Sequence, residues 1–162
     1  STLSGRFAAA FGEKIATPHG ALTHLEPIAS RVANACAGDL IAMGIMPPRA
    51  RAILALAQAV ADGSLRLEPS GDIADTLAGL KSLPGVGEWT AQYIAMRALS
   101  WPDAFPHTDL GLLRAMGESN PKRALEMAEA WRPWRSYAAM HLWTTYNPSK
   151  PQALEEMGGS LK

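Results

Sequence analysis

The chain has 162 residues, 48% hydrophobic and 19% charged, enough for one packed domain or two small lobes. Fifteen basic residues balance fifteen acidic ones, so a grip on nucleic acid would have to come from local features rather than an overall positive field. No apolar run approaches the roughly 18 residues of a membrane helix. The lone cysteine, Cys36, excludes an internal disulfide and a cysteine-ligated zinc or iron–sulfur site. The opening Ser1–Phe7 reads without a signal-peptide pattern, and a cytoplasmic protein is expected.

Leu3, Phe7, Phe11 and Ile15 recur every four residues and predict a first helix without a start signal, as though the sequence opened inside an element. Thr17-Pro18-His19-Gly20 should break it. Thr23-His24-Leu25-Glu26 resembles a capping box, and Pro27 suits a first turn, so a helix to Ala37 is expected, stopped by Gly38. About one helical turn is expected over Asp39–Gly44. Pro47-Pro48 opens an alanine-rich helix, 49–61, ended by Asp62-Gly63, and 65–71 is a connector.

Asp72–Leu80 predicts a short helix with acids in its first turn, and Glu88–Leu99 a second, with Trp89, Tyr93, Met96 and Arg97 at helical spacing. Between them, Leu83-Pro84-Gly85-Val86-Gly87 is a tight turn, in which glycine permits positive φ and close approach of another backbone. The first amides of the second helix, with the positive end of its dipole, form an anion site that suits a phosphate. A plain helical hairpin is the simpler alternative. Ser100–Pro106 is not helical. Thr108 is the expected N-cap of 109–116, which Gly111 weakens. Asn120-Pro121 starts a helix over 122–130, Pro133 interrupts the next stretch, and 136–146 is the final helix. The fold class is all-α, with a helical domain over 1–147, a helix-hairpin-helix at 72–99, and a loose tail over 148–162.

Asp109 is the carboxylate that stands out. It is either a cap and dipole partner or, if the return loop brings it beside the hairpin, a reacting group. Trp89, Tyr93 and Trp143 are either core or faces for a flat, electron-poor guest, where stacking is worth about 1–3 kcal/mol per contact. His107 touches a sugar or water, or belongs to a surface loop. Lys122, Arg123, Arg132 and Arg135 contact phosphates or solvate a face. Arg97 reads as structural and Cys36 as a core filler.

Leu83–Ala91 followed by Asp109 resembles the helix-hairpin-helix DNA glycosylase superfamily, and in particular its 3-methyladenine DNA glycosylase II branch. The resemblance is carried by Trp89–Tyr93, Phe105–Asp109 and Trp131–Ala138, and runs over residues 1–146. It implies a helical glycosylase domain without the family's N-terminal β-rich subdomain and base-replacing segment, which a longer protein would supply. It also implies base-excision repair of damaged double-stranded DNA by a monomer in the bacterial nucleoid. Asp109 would be the catalytic carboxylate, and Trp89, Tyr93 and Trp143 the base pocket. Gly85, Gly87 and Thr90 would bind phosphate. The backbone carbonyls of Lys81, Leu83 and Val86 would hold a structural sodium- or potassium-like ion, while the chemistry itself requires no cofactor. Strand-cutting relatives carry a lysine where Trp89 stands, and an indole cannot form their Schiff base, which implies a monofunctional enzyme. The rival reading is a non-catalytic helix-hairpin-helix module that grips the DNA backbone.

Overall fold

The computed structural model describes residues 2–68 and 71–146. Every regular element among them is helical, apart from one isolated antiparallel bridge between Lys14 and His24. The expected tail over 148–162 lies outside the described residues. The chain divides into two compact units between Trp101 and Pro102.

In the first unit, α1 (Leu3–Phe11) does have a start signal: the Thr2 hydroxyl accepts the Gly5 N–H at 3.2 Å. It ends before Ile15, because the backbone beyond it pairs elsewhere. Ile15 N–H donates to the Thr23 carbonyl at 2.9 Å, and Leu25 N–H to the Glu13 carbonyl at 2.8 Å. That pairing also overturns the helix expected to start at Thr23. Residues 23–25 spend their backbone groups on the bridge, so α2 is confined to Ala29–Ala33 with Ile28 as a cap that makes no side-chain bond. Gly38 stops nothing and lies inside α3 (Ala37–Ala42). Cys36 is exposed rather than a core filler, and caps α3. Its backbone N–H, then its side chain, hold the Asp39 carboxyl below the usual carboxylate range.

The long helix α4 (Pro47–Ala61) serves two cores. Near its start Ala50 packs with Leu40 and Ile45, with Phe7, Phe11 and Ile53 alongside. Near its end Ala59 packs with Leu65, Leu80, Val86 and Ala91, with Leu56 and Val60 alongside. This second core holds α5 (Ile73–Ser82) and α6 (Glu88–Arg97) together.

Asp72 begins α5 by accepting the N–H groups of Ala74 and Asp75 at 2.8 and 3.1 Å. The link to α6 is a turn closed by Val86 N–H on the Leu83 carbonyl at 3.2 Å. Pro84 and Gly85 are its central residues, and Gly85 has φ +80°, the pattern of a type II turn, which needs glycine in the second central place. Gly87 is not left-handed. It is extended, at φ −92° and ψ −179°.

In the second unit, α7 (Leu110–Ala115) packs on α9 (Arg135–Thr145), and α8 (Pro121–Ala128) runs into a 3-10 turn at Glu129–Trp131. Asn120 caps α8, accepting the Lys122 N–H at 3.0 Å. The start of α9 clamps the loop that leads to α7. Arg135 is 5% exposed and donates twice to Asp103, Nε to Oδ1 at 2.7 Å and Nη2 to Oδ2 at 2.8 Å. Ser136 donates its N–H to the Pro102 carbonyl at 2.8 Å and its hydroxyl to the Ala104 carbonyl at 2.9 Å. Phe105, 2% exposed, meets Trp131 edge-on with ring centres 6.0 Å apart.

Three substitutions test this packing by urea unfolding. Gly85→Ala forces a left-handed alanine and brings its Cβ to 3.1 Å from that of Ala52, so it should destabilise by about 1–2 kcal/mol. Arg135→Ala strips a buried carboxylate of its bidentate partner and should cost about 3 kcal/mol. Arg132→Ala, which removes a half-exposed ion pair to the same Asp103 at 3.0 Å, should cost less than about 1 kcal/mol.

Candidate functional site

In the first unit the hairpin exposes Gly85 and Gly87 and half-buries Thr90. No acceptor among the described residues pairs with the backbone N–H of Gly85, Gly87 or Thr90. Such N–H groups, gathered at the start of α6, are what an anion is drawn to. A carboxylate stands next to them: Glu88, in the first turn of α6, takes Lys81 Nζ at 3.1 Å and Gln92 Nε2 at 3.0 Å. Lys81 offsets its charge, although an exposed pair of this kind is worth little in stability.

The carbonyls of Lys81, Leu83 and Val86 lie along the same turn. The first belongs to the last turn of α5, and the second accepts the Val86 N–H. Neutral backbone oxygens are hard donors that suit a weakly held hard cation. Among the described residues no group of three or more histidine, cysteine or carboxylate side chains could hold a metal.

Trp89 and Tyr93, one turn apart on α6, lie ring on ring with centres 5.0 Å apart and planes 8° from parallel. They are 39% and 38% exposed. They form a flat aromatic step on the helix surface and are not core.

Asp109 and Trp143 meet in the second unit. Asp109, not Thr108, is the N-cap of α7, and its Oδ1 accepts the Leu112 N–H at 2.9 Å. The correction follows from the chain's path: Asp109 N–H bonds back to the Pro106 carbonyl at 2.8 Å, so the turn closes one residue later than expected. The same Oδ1 accepts the indole Nε1–H of Trp143 at 3.0 Å. A cap and a candidate reacting group therefore coincide in one residue. The sequence-predicted residues fall into two pairs, Trp89 with Tyr93 and Asp109 with Trp143, one in each unit.

The structure also places the residues of several weaker expectations. Arg135 is buried on Asp103 and is no phosphate ligand. Arg132 is half-exposed and pairs with Asp103 and Glu129. Arg123 pairs with Glu118 at 3.2 Å. His107 is half-buried, with its backbone N–H on the Phe105 carbonyl at 2.8 Å. The clamp of Asp103, Arg135 and Ser136 on the approach to Asp109 was not expected. Its partners are 32 residues apart, beyond the reach of any local pattern.

No family model matches the chain. A protein of Mycobacterium tuberculosis described as a probable bifunctional transcriptional activator/DNA repair enzyme AlkA is 47% identical over 149 residues, which are 90% of this chain and 29% of the relative. DNA-3-methyladenine glycosylase 2 of Escherichia coli is 36% identical over 119 residues, 74% of this chain and 42% of the relative. The chain thus spans less than half the length of either. Among solved structures, an 8-oxoguanine glycosylase/lyase of Clostridium acetobutylicum in complex with double-stranded DNA superposes with a TM-score of 0.74 at 18% identity, covering 87% of this chain and 51% of that one. With its hairpin, its capping aspartate and these relatives, the chain belongs to the helix-hairpin-helix DNA glycosylase superfamily, where it corresponds to the C-terminal helical portion of the 3-methyladenine DNA glycosylase II branch.

Proposed function

We propose that this chain is the catalytic helical part of a monofunctional base-excision repair enzyme that hydrolyses the N-glycosidic bond of alkylated purines in double-stranded DNA. The observation that carries the proposal is Asp109. Its carboxylate is held by the start of α7 and by an indole at once, in a chain 47% and 36% identical to two proteins named for DNA repair or 3-methyladenine excision.

A purine methylated at a ring nitrogen is cationic, so its bond to C1′ is already weakened. When that bond breaks, both electrons leave with the base and cancel its charge, which removes the need for a strong general acid. The sugar is left with oxocarbenium character. Asp109 stabilises that charge and orients the water whose hydroxyl ends on C1′, the spare proton passing to solvent. The target nucleotide must first leave the helix. Trp89, Tyr93 and Trp143 offer aromatic faces to the extruded, electron-poor base, each contact worth about 1–3 kcal/mol. Trp89 has no amine and forms no Schiff base, so the strand stays intact.

The N–H groups of Gly85, Gly87 and Thr90 bind a backbone phosphate of the duplex. The carbonyls of Lys81, Leu83 and Val86 would hold a sodium- or potassium-like ion, which supplies positive charge beside that phosphate when bound. The chemistry requires no cofactor. The enzyme acts as a monomer in the bacterial nucleoid.

A non-catalytic helix-hairpin-helix module is the second reading, favoured by the plain capping bond that Asp109 accepts from the Leu112 N–H. Base release from methylated duplex DNA separates the two. The wild-type chain should release methylated purines, and Asp109→Asn should release them at least about 10²-fold more slowly while its affinity for undamaged duplex stays the same. Equal release by both proteins would eliminate the proposed role of Asp109. No release by either leaves a binding module or an incomplete enzyme, and the assay repeated with an upstream segment joined to the chain separates them. Release then restored supports the proposal, and salt-sensitive duplex binding still without release favours the module.

A further inference from the structure

We propose that Trp143 is a positioning residue for Asp109, and that Gly111 is glycine because the contact between them leaves no room for a side chain. The inference rests on the reading of Asp109 as the reacting carboxylate, and it gives Trp143 a task separate from any stacking face it offers.

A helix cap needs one donor, and Leu112 N–H supplies it at 2.9 Å from within α7. That bond alone leaves an aspartate free to pivot about its own torsions. The second donor, the Trp143 indole N–H at 3.0 Å, comes from α9 and from 34 residues away. Capping does not require it. Two donors of different origin on the same oxygen fix both the distance and the plane of the carboxylate, and so the direction in which Oδ2 is aimed. Both of these donors are uncharged N–H groups, which lend orientation to the oxygen they share.

The steric evidence is independent of the hydrogen bonds. A Cβ at position 111 would lie 2.9 Å from Asp109 Oδ1, 3.6 Å from Trp143 Cδ1 and 3.7 Å from Trp143 Nε1. Any side chain there would press on the oxygen that the two donors share. Glycine weakens so short a helix, yet it stands where the indole and the carboxylate meet. Aromatic stacking on a base needs only the ring face of Trp143. The Nε1–H edge is a different part of the residue, so the two tasks can be separated chemically.

The test uses the whole chain and three variants, Trp143→Phe, Gly111→Ala and Asp109→Asn. Phenylalanine keeps an aromatic face and loses the N–H. Its kcat for base release should fall about tenfold or more, the scale of one hydrogen bond to a charged group, with KM within about twofold of wild type. Gly111→Ala should lower kcat in the same way. Should either variant fail to fold, the indole Nε1–H resonance of Trp143 decides the matter in folded protein. It should move upfield in Asp109→Asn, where the acceptor loses its charge, while that of the exposed Trp134 stays in place. A Phe variant with full kcat, or one whose loss lies in KM alone, would overturn the proposal. So would a Trp143 resonance that Asp109→Asn does not move. If the wild-type chain releases no base even with an upstream segment joined to it, the glycosylase reading fails on its own account, and the resonance still supports or overturns the hold of Trp143 on Asp109.

Discussion

One oxygen atom, Asp109 Oδ1, receives a backbone N–H from α7 and an indole N–H from α9. The second unit is arranged so that this can happen. The approach to Asp109 is pinned by four bonds from the first two residues of α9: the two-bond fork of Arg135 on Asp103 and the two donations of Ser136 to loop carbonyls. Phe105, sealed against Trp131, anchors the same loop from inside. Helix α9 therefore fixes the loop at one end and the carboxylate at the other. A buried ion pair is a poor source of net stability but a strict geometric device, and here it stands six residues before the group whose direction matters.

The first unit answers to another constraint, the need to reverse the chain between α5 and α6 in a few residues. Pro84 and the left-handed Gly85 make the turn, and Val86 drops into the core beside Leu80 and Ala91. Burial of Val86 ties the turn to the packing, so the exposed glycines on either side hold a fixed conformation. A backbone phosphate can then be met by preformed N–H groups, at little ordering cost on binding. On the proposed reading, local donors would do in this chain, which has no net charge, the work that a general basic field does elsewhere.

Much of this was legible in the sequence, and what was not has a common cause. The hairpin was readable because its signals are local: acids in the first turn of 72–80, Pro84 before Gly85, and apolar residues at helical spacing. Helix α4 was readable for the same reason, from Pro47-Pro48 to Asp62-Gly63. The error at Thr23 came from a distant pairing, since the backbone of residues 13–15 claims that of residues 23–25 and overrides a local capping pattern. The cap of α7 was placed one residue early because Thr108 and Asp109 are both good caps, and only the bond from Asp109 N–H to the Pro106 carbonyl selects between them. Arg135 could not be told from a solvated or phosphate-binding arginine, because its partner is far away in sequence. Trp143 was open in the sequence between core and a face for a guest, and its hydrogen bond to Asp109 depends on the packing of α7 against α9. Gly111 read as a weakness of the helix and is explained only by that contact.

The central claim is that Asp109 stabilises positive charge developing on the sugar, and it can be tested without turnover. An enzyme binds a mimic of its transition state more tightly than it binds a neutral analogue. The affinity of the chain should be measured for a duplex with a cationic ring-nitrogen sugar at one position, and for the same duplex with a neutral abasic analogue. The account predicts that the wild type prefers the cationic duplex by about tenfold or more and that Asp109→Asn loses the preference while keeping its affinity for the neutral one. Equal affinity of the wild type for both duplexes, or a preference that survives in Asp109→Asn, would contradict it.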